Sequence, residues 1–234
     1  IPYIEKKFRA TGTSGSRFLD GCSTGGWVSL ALQLYYPDFF NGCFSYSPDP
    51  VDFENFQNIN IYKDKNTFYN EDGSPKPLAR NISGEPVIFQ KEFIQFENTL
   101  GWNNSYVTSG GQFGAFNAVF SPRGGDGLPM PLFDPQTGEI DKDVASHWKK
   151  YDLKNYLSDN RETLAPKIQG KIWIWMGDRD DYYLDKALRS FDEMVNSKHD
   201  ATIIVEPGKG HCSAYSDKKV LLQIQERIEN NTSK

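Results

Sequence analysis

The chain has 234 residues, enough to bury the core of one large domain or of one domain with a cap. Its formal net charge of −5 argues against nucleic acid and anionic membrane surfaces as partners. No apolar stretch approaches the roughly 18 residues of a membrane span. The three cysteines show neither a disulfide framework nor metal-ligand spacing, and there is no phosphate-cradling G-x-x-x-x-G-K-[ST] loop. We therefore expect no metal and no organic cofactor.

A glycine-flanked serine lies near the start of the chain, in the run Gly21–Gly26. Its first five residues fit G-x-S-x-G, the sharp turn that presents a nucleophilic serine between a strand and a helix. Residues 17–20 predict the strand. The helix is indicated by apolar residues at helical spacing and must end before Pro37; they are Val28, Ala31, Leu32 and Tyr35. The pattern predicts Ser23 as nucleophile and the backbone N–H of Thr24 as a donor to an oxyanion.

Two further predictions concern the same turn. We expect it to tolerate no bulk at Gly21 or Gly25. We expect Cys22, the residue before the serine, to point away from the apex as a buried, inert thiol. The alternative for the whole run is a Gly/Ser loop that caps an ordinary helix.

A histidine suited to act as base follows the last predicted strand. Residues 201–205 are β-branched and strand-like, a Gly-containing loop leads to His211, and a final helix follows with Val220, Leu221, Ile224 and Ile228 on its apolar positions. His147 and His199 lie in mixed or polar stretches that favour surface or structural roles. His211 is therefore the predicted base.

Three aspartates compete for the role of the acid that orients this base. Strand-like residues 171–176 run into Gly177, after which Asp178, Asp180 and Asp181 precede a helix. The hydrolase pattern G-x-x-D selects Asp180, with Asp181 as the alternative and Asp178 third. Capping of the next helix is the other role open to them. Serine, acid and base then follow three strands, and the carboxyl ends of parallel strands meet at one edge of a sheet.

Three stretches, 17–46, 172–181 and 205–211, resemble the putative esterase (esterase D-like) branch of the α/β hydrolases, which includes feruloyl and acetyl-xylan esterases, siderophore-ester hydrolases and mycolyl transferases. The resemblance implies an α/β-hydrolase-type, mainly parallel sheet. It also implies a serine hydrolase that cleaves small-molecule or glycan-linked carboxylic esters through an acyl-enzyme, with Ser23, Asp180 and His211 as the triad. It slightly favours a periplasmic or secreted protein. Residues 1–8 resemble the helix that precedes the nucleophile strand.

The chain departs from that family in its early part. About four strands expected before the first helix are missing, together with the loop that supplies a second oxyanion donor. The nucleophile strand would then have an exposed edge, which favours pairing in a homodimer. One alternative is therefore a catalytically incomplete fragment that serves as a binding or assembly module. Another is peptide hydrolysis, as in prolyl-oligopeptidase-like enzymes.

The second departure is a large insertion at residues 48–166, between the two parts of the predicted hydrolase core, 1–47 and 167–234. Its composition predicts a loop-heavy cap. Asp49 is expected to lie at the same edge of the sheet as Ser23. We expect it to bind substrate together with Trp27. Most aromatic residues of the insertion are expected to form its own small core; they are Tyr62, Phe68, Tyr69, Trp102, Tyr106, Phe113, Phe116, Phe120 and Phe133.

Overall fold

The computed structural model describes residues 1–195 and 200–232. The chain divides into two compact units. The first unit contains Ile1–Asp49, Leu157–Asp180 and Leu188–Lys234, and the second contains Pro50–Tyr156 and Asp181–Ala187. The assignment of residues 48–166 as a cap over the site stays a prediction.

Helices and strands alternate along most of the first unit, and the second unit combines helices and a hairpin with long loops. In chain order the elements are α1 (Pro2–Lys7), β1 (Phe18–Cys22), α2 (Thr24–Tyr35), β2 (Gly42–Tyr46), β3 (Pro77–Arg80), β4 (Pro86–Phe89), α3 (Gln90–Leu100), α4 (Gln112–Phe120), α5 (Lys142–Trp148), α6 (Leu153–Asp159), α7 (Arg161–Ile168), β5 (Ile172–Gly177), α8 (Leu184–Val195), β6 (Thr202–Glu206) and α9 (Asp217–Thr232).

The first unit is built on a parallel sheet in the order β1-β2-β5-β6. Each neighbouring pair is parallel, with Gly21 beside Ser45 and Trp175 beside both Tyr46 and Ile204. The predicted α/β class with a mainly parallel sheet is therefore confirmed. The three strands predicted above, which are β1, β5 and β6, lie within two residues of their predicted positions.

Helices cover both faces of this sheet, because alternate residues of β2 point to opposite sides. On one face the hydroxyl of Ser45 donates to the carbonyl of Gly26 in α2, 2.9 Å away. On the other, Phe44 and Tyr46 pack with Trp175 and with Val220 of α9 in a buried aromatic cluster. The rings of Tyr46 and Trp175 stack with centroids 4.6 Å apart. This packing fixes the strand ends from which the functional loops leave.

The second unit has its own aromatic core. An antiparallel hairpin of β3 and β4 accompanies α3, α4 and α5, with long loops and turns between these elements. Its interior aromatic residues stack or meet edge to face; they include Phe68, Tyr106, Phe113, Phe116, Phe120 and Phe133. Trp102 and Tyr69 are exceptions, being exposed. Across the part of the chain described, we find no helix with the length and apolarity needed to cross a membrane.

Candidate active site

Ser23 occupies the turn between β1 and α2 in a conformation that residues with side chains rarely adopt. Its φ is 59° and its ψ is −125°. The surrounding backbone holds it there, since its N–H donates to the carbonyl of Tyr46 at 3.0 Å and its own carbonyl accepts from the N–H of Trp27 at 3.0 Å. Such strain persists only where neighbours impose it, and it is typical of a serine presented at the top of a sheet.

The glycines of this turn divide into two that need to be glycine and one that does not. A Cβ on Gly21 would lie 2.5 Å from the carbonyl carbon of Gly25, which agrees with the expectation for Gly21. The expectation for Gly25 is wrong, because nothing lies within 4 Å of a Cβ there. The constrained residue is Gly26, whose Cβ would lie 2.7 Å from the carbonyl oxygen of Tyr46. It lets α2 approach the end of β2.

Asp180 and His211 meet at the carboxyl edge of the sheet. The distance from Nδ1 of His211 to Oδ2 of Asp180 is 2.7 Å, with the Asp180 side chain fully buried and that of His211 15% exposed. The loops that carry them are in direct contact, since the N–H of Arg179 donates to the carbonyl of Lys209 at 3.0 Å. A Cβ on Gly177 would collide with that same carbonyl, 2.0 Å away. Gly177 therefore allows the two loops to approach.

The other two aspartates make different contacts. The carboxylate of Asp178 accepts from the N–H of Gly208 at 2.7 Å, which ties together the loops after β5 and β6. Asp181 belongs to the second unit, where its carbonyl accepts from the N–H of Arg80 at 2.8 Å. Of the three, Asp180 is the one whose carboxylate the structure places against His211.

The sequence favours surface or structural roles for the other two histidines. His147 lies on α5 in the second unit, where desolvation lowers the pKa of its imidazole. His199 lies outside the described residues.

Asp49, which the sequence predicts to bind substrate, is in direct contact with the serine turn. Its Oδ2 accepts a hydrogen bond from the Thr24 hydroxyl at 2.6 Å, and its Oδ1 accepts from the Ser23 hydroxyl at 3.4 Å. Burial raises the pKa of the Asp49 carboxyl, whereas the Thr24 hydrogen bond and the nearby His211 act in the opposite direction. The site therefore contains a second buried carboxyl group besides that of Asp180.

The cysteines overturn the expectation of an inert thiol. Cys22 forms a disulfide bond with Cys212, 190 residues away, with the two Cα atoms 5.9 Å apart. The bond joins the residue before Ser23 to the residue after His211. Only Cys43, among the described residues, is a free thiol; it is buried, and desolvation raises its pKa to about 12. Nothing in the sequence indicates this pairing, since both cysteines stand alone in their local patterns.

Ser47 is a further residue of the site that sequence reasoning missed. Its hydroxyl accepts a hydrogen bond from the N–H of Cys212 at 3.1 Å, and its own N–H donates to the carbonyl of Trp175 at 2.7 Å. The residue after His211 is thereby attached to the end of β2 as well as to β1.

The roles predicted for Thr24 and Trp27 stay predictions. Thr24 begins α2 directly after Ser23, which is the position required of an oxyanion donor. Trp27 is buried, with 8% of its surface exposed, and packs in the first unit. Among the residues described, no three His, Cys, Asp or Glu side chains are grouped to hold a metal ion.

The chain is similar to several solved structures and to one protein family. A search of curated proteins gave no match. Among solved structures, the chain is similar to a ferulic acid esterase, with 15% identity and a TM-score of 0.47, over 97% of this chain and 57% of that one. For an S-formylglutathione hydrolase from Agrobacterium tumefaciens the identity is 14%, the TM-score 0.42 and the coverage 97% and 53%. For feruloyl esterase B from Aspergillus oryzae the identity is 17% and the TM-score 0.37, over 92% of this chain and 59% of that one.

The chain spans a little over half the length of each of these three structures. A family model described as "Putative esterase" matches residues 1–220, which is nearly the whole chain. The chain belongs to the putative esterase family.

Proposed function

We propose that the protein is a serine esterase that cleaves carboxylic esters through a covalent acyl-enzyme. The observation that carries the proposal is the 2.7 Å contact between Asp180 and His211 at the sheet edge where Ser23 stands in its strained turn. Membership of the putative esterase family supports the same reaction class. Serine, acid and base also follow in the chain order typical of this fold.

The proposed reaction begins when Oγ of Ser23 attacks the acyl carbonyl carbon. His211 takes the serine proton as a new C–O bond forms, and the carbonyl oxygen becomes an oxyanion that accepts from the N–H of Thr24. The intermediate collapses, the bond to the alcohol breaks, and His211 returns the proton to the leaving oxygen. Water then attacks the acyl-serine with His211 as base, the bond between the acyl carbon and Oγ breaks, and His211 returns the proton to Oγ, which releases the acid and restores Ser23.

Asp180 acts in this scheme through His211. Its carboxylate at 2.7 Å from Nδ1 favours the tautomer with the proton on that nitrogen, which leaves Nε2 as the base. Full burial of the Asp180 side chain keeps water from competing for this hydrogen bond. The imidazolium that forms during the reaction is stabilised by the same carboxylate.

The proposal is tested with Ser23→Ala in the intact protein and p-nitrophenyl acetate as substrate. Loss of the nucleophile should lower kcat by about 10³-fold or more. Ser14→Ala provides the matched control, because Ser14 is an exposed serine of the same unit. Thermal melts should show that both variants are folded. Turnover by Ser23→Ala at the rate of Ser14→Ala would overturn the proposal.

A further inference from the structure

Asp49 is attached to the serine turn by three hydrogen bonds. Its carboxyl accepts from the hydroxyls of Thr24 and Ser23, at 2.6 and 3.4 Å. Its backbone N–H donates to the carbonyl of Ser23 at 3.2 Å. Residues 26 positions apart are thus held together at the nucleophile. A loop residue that only lined a pocket would not need contacts to both side chains and to the backbone of the turn.

The two side-chain hydrogen bonds differ in strength. The Thr24 hydroxyl donates to the Asp49 carboxylate over a short distance of 2.6 Å, so this hydrogen bond is the stronger of the two. It determines where the carboxyl group lies. The Ser23 bond, at 3.4 Å, is long and weak. Ser23 has one hydroxyl proton, and a weak bond in the resting site restrains its side chain while letting that proton pass to His211 at little cost.

We propose that Asp49 is a positioning residue of the reaction, held by the Thr24 hydroxyl so that its carboxylate orients the Ser23 side chain and adds a second negative charge to the site. The inference rests on the proposed function, since it assigns a role within that site. It gives the residue after Ser23 two tasks: its backbone N–H serves the oxyanion, and its hydroxyl holds Asp49.

The charge of Asp49 has a consequence for the dependence of activity on pH. Among the contacts described, the carboxylate of Asp180 bonds to His211 and that of Asp49 interacts with it electrostatically; Asp49 is in turn faced by the hydroxyls of Thr24 and Ser23. Because His211 lowers the pKa of Asp49, Asp49 must reciprocally favour the imidazolium form of His211. Removing the charge should let His211 lose its proton at lower pH. The acid limb of the kcat/KM profile then moves to lower pH.

The test compares Asp49→Asn with Asp38→Asn in the intact protein. The amide keeps the size of Asp49 and removes its charge, and Asp38 is an exposed carboxylate of the same unit that pairs with Lys167. We expect Asp49→Asn to lower kcat about 10-fold or more with KM little changed. We expect its acid limb to move down by roughly 0.5 pH unit or more. Asp38→Asn should change neither quantity. A kcat and an acid limb in Asp49→Asn equal to those of Asp38→Asn would overturn the inference.

Variants at Thr24 test the same contact from its other side. Thr24→Ser keeps the hydroxyl and should retain most of the activity, whereas Thr24→Val keeps the shape and should lose activity toward the level of Asp49→Asn. The double variant Asp49→Asn/Thr24→Val should be no slower than the slower single variant, because both remove one interaction. Losses that multiply would contradict the proposed pairing.

These outcomes separate the inference from the proposed function. A wild-type-like Asp49→Asn beside an inactive Ser23→Ala would remove the role of Asp49 and keep the esterase. An active Ser23→Ala would remove the proposed nucleophile itself.

Discussion

At the scale of single residues, the site depends on how closely α2 approaches β2. The N–H of Ser23 bonds to Tyr46, and the backbone N–H of Asp49 bonds to Ser23. Both contacts require the main chain at Gly26 to pass next to the carbonyl of Tyr46. Glycine is needed there for space, since a side chain would push the helix away from the strand.

Gly26→Ala should therefore lower the free energy of unfolding by about 1–3 kcal/mol, the usual cost of overpacking. Its Cβ would meet the Tyr46 oxygen at 2.7 Å and the Cα of Pro48 at 3.2 Å. Gly25→Ala is the matched control, because nothing lies within 4 Å of its Cβ. That variant should match wild type or gain up to about 1 kcal/mol from helix propensity. Denaturant melts measure both, and equal stabilities of the two variants would contradict the packing described.

At the scale of elements, two neighbouring parallel strands deliver the acid and the base. β5 and β6 pair from Trp173–Thr202 to Gly177–Glu206, so their loops leave the sheet side by side. Gly177 at the end of β5 lets the loop after β6 pass against it. The Asp180–His211 contact is thus a consequence of strand pairing, and the choice among the aspartates follows from the geometry of one turn.

Asp180→Asn should lower kcat strongly, by about 10²- to 10⁴-fold, because an amide no longer favours the tautomer that leaves Nε2 as base. Asp181→Asn is the comparison variant, because the sequence pattern leaves Asp181 as the alternative acid. Its carboxylate is not the one at 2.7 Å from His211, so kcat should stay within a few fold of wild type. The measurement is steady-state turnover of p-nitrophenyl acetate by both variants. A larger loss in Asp181→Asn would reverse the assignment.

At the scale of the whole molecule, one disulfide closes a loop that contains the entire second unit. Cys22 and Cys212 are 190 residues apart in sequence and lie next to Ser23 and His211. A cross-link over so long a loop restricts the unfolded chain and also ties the serine turn to the histidine loop.

Replacing both cysteines by alanine should lower the free energy of unfolding by about 2–5 kcal/mol. It should also lower kcat. Among the contacts described, only the hydrogen bond from the backbone N–H of residue 212 to Ser47 would then hold this residue to the strand ends. The same losses should appear when wild-type protein is treated with dithiothreitol and the thiols are blocked. Denaturant melts and turnover are the measurements. A double variant with wild-type stability and kcat would show that the bond contributes to neither.

The local pattern was sufficient to predict the strands, the helices after them and the serine turn, because hydrophobic periodicity and glycine are read from neighbouring residues. His211 could be selected by its position on the loop after the last predicted strand, and Asp180 by the G-x-x-D spacing after Gly177. The disulfide, Gly26 and Ser47 could not. Each depends on segments brought together only by the packed sheet: Cys22 on a loop 190 residues later, Gly26 on the end of β2, and Ser47 on the residue after His211.

The central claim is that Ser23 is a nucleophile activated by His211. The most direct measurement is reaction of the intact protein with a fluorophosphonate, followed by intact mass and mapping of the modified peptide. The account predicts one adduct per chain, on Ser23, formed much more slowly in His211→Ala. An adduct on another residue, or no adduct on folded protein, would contradict it.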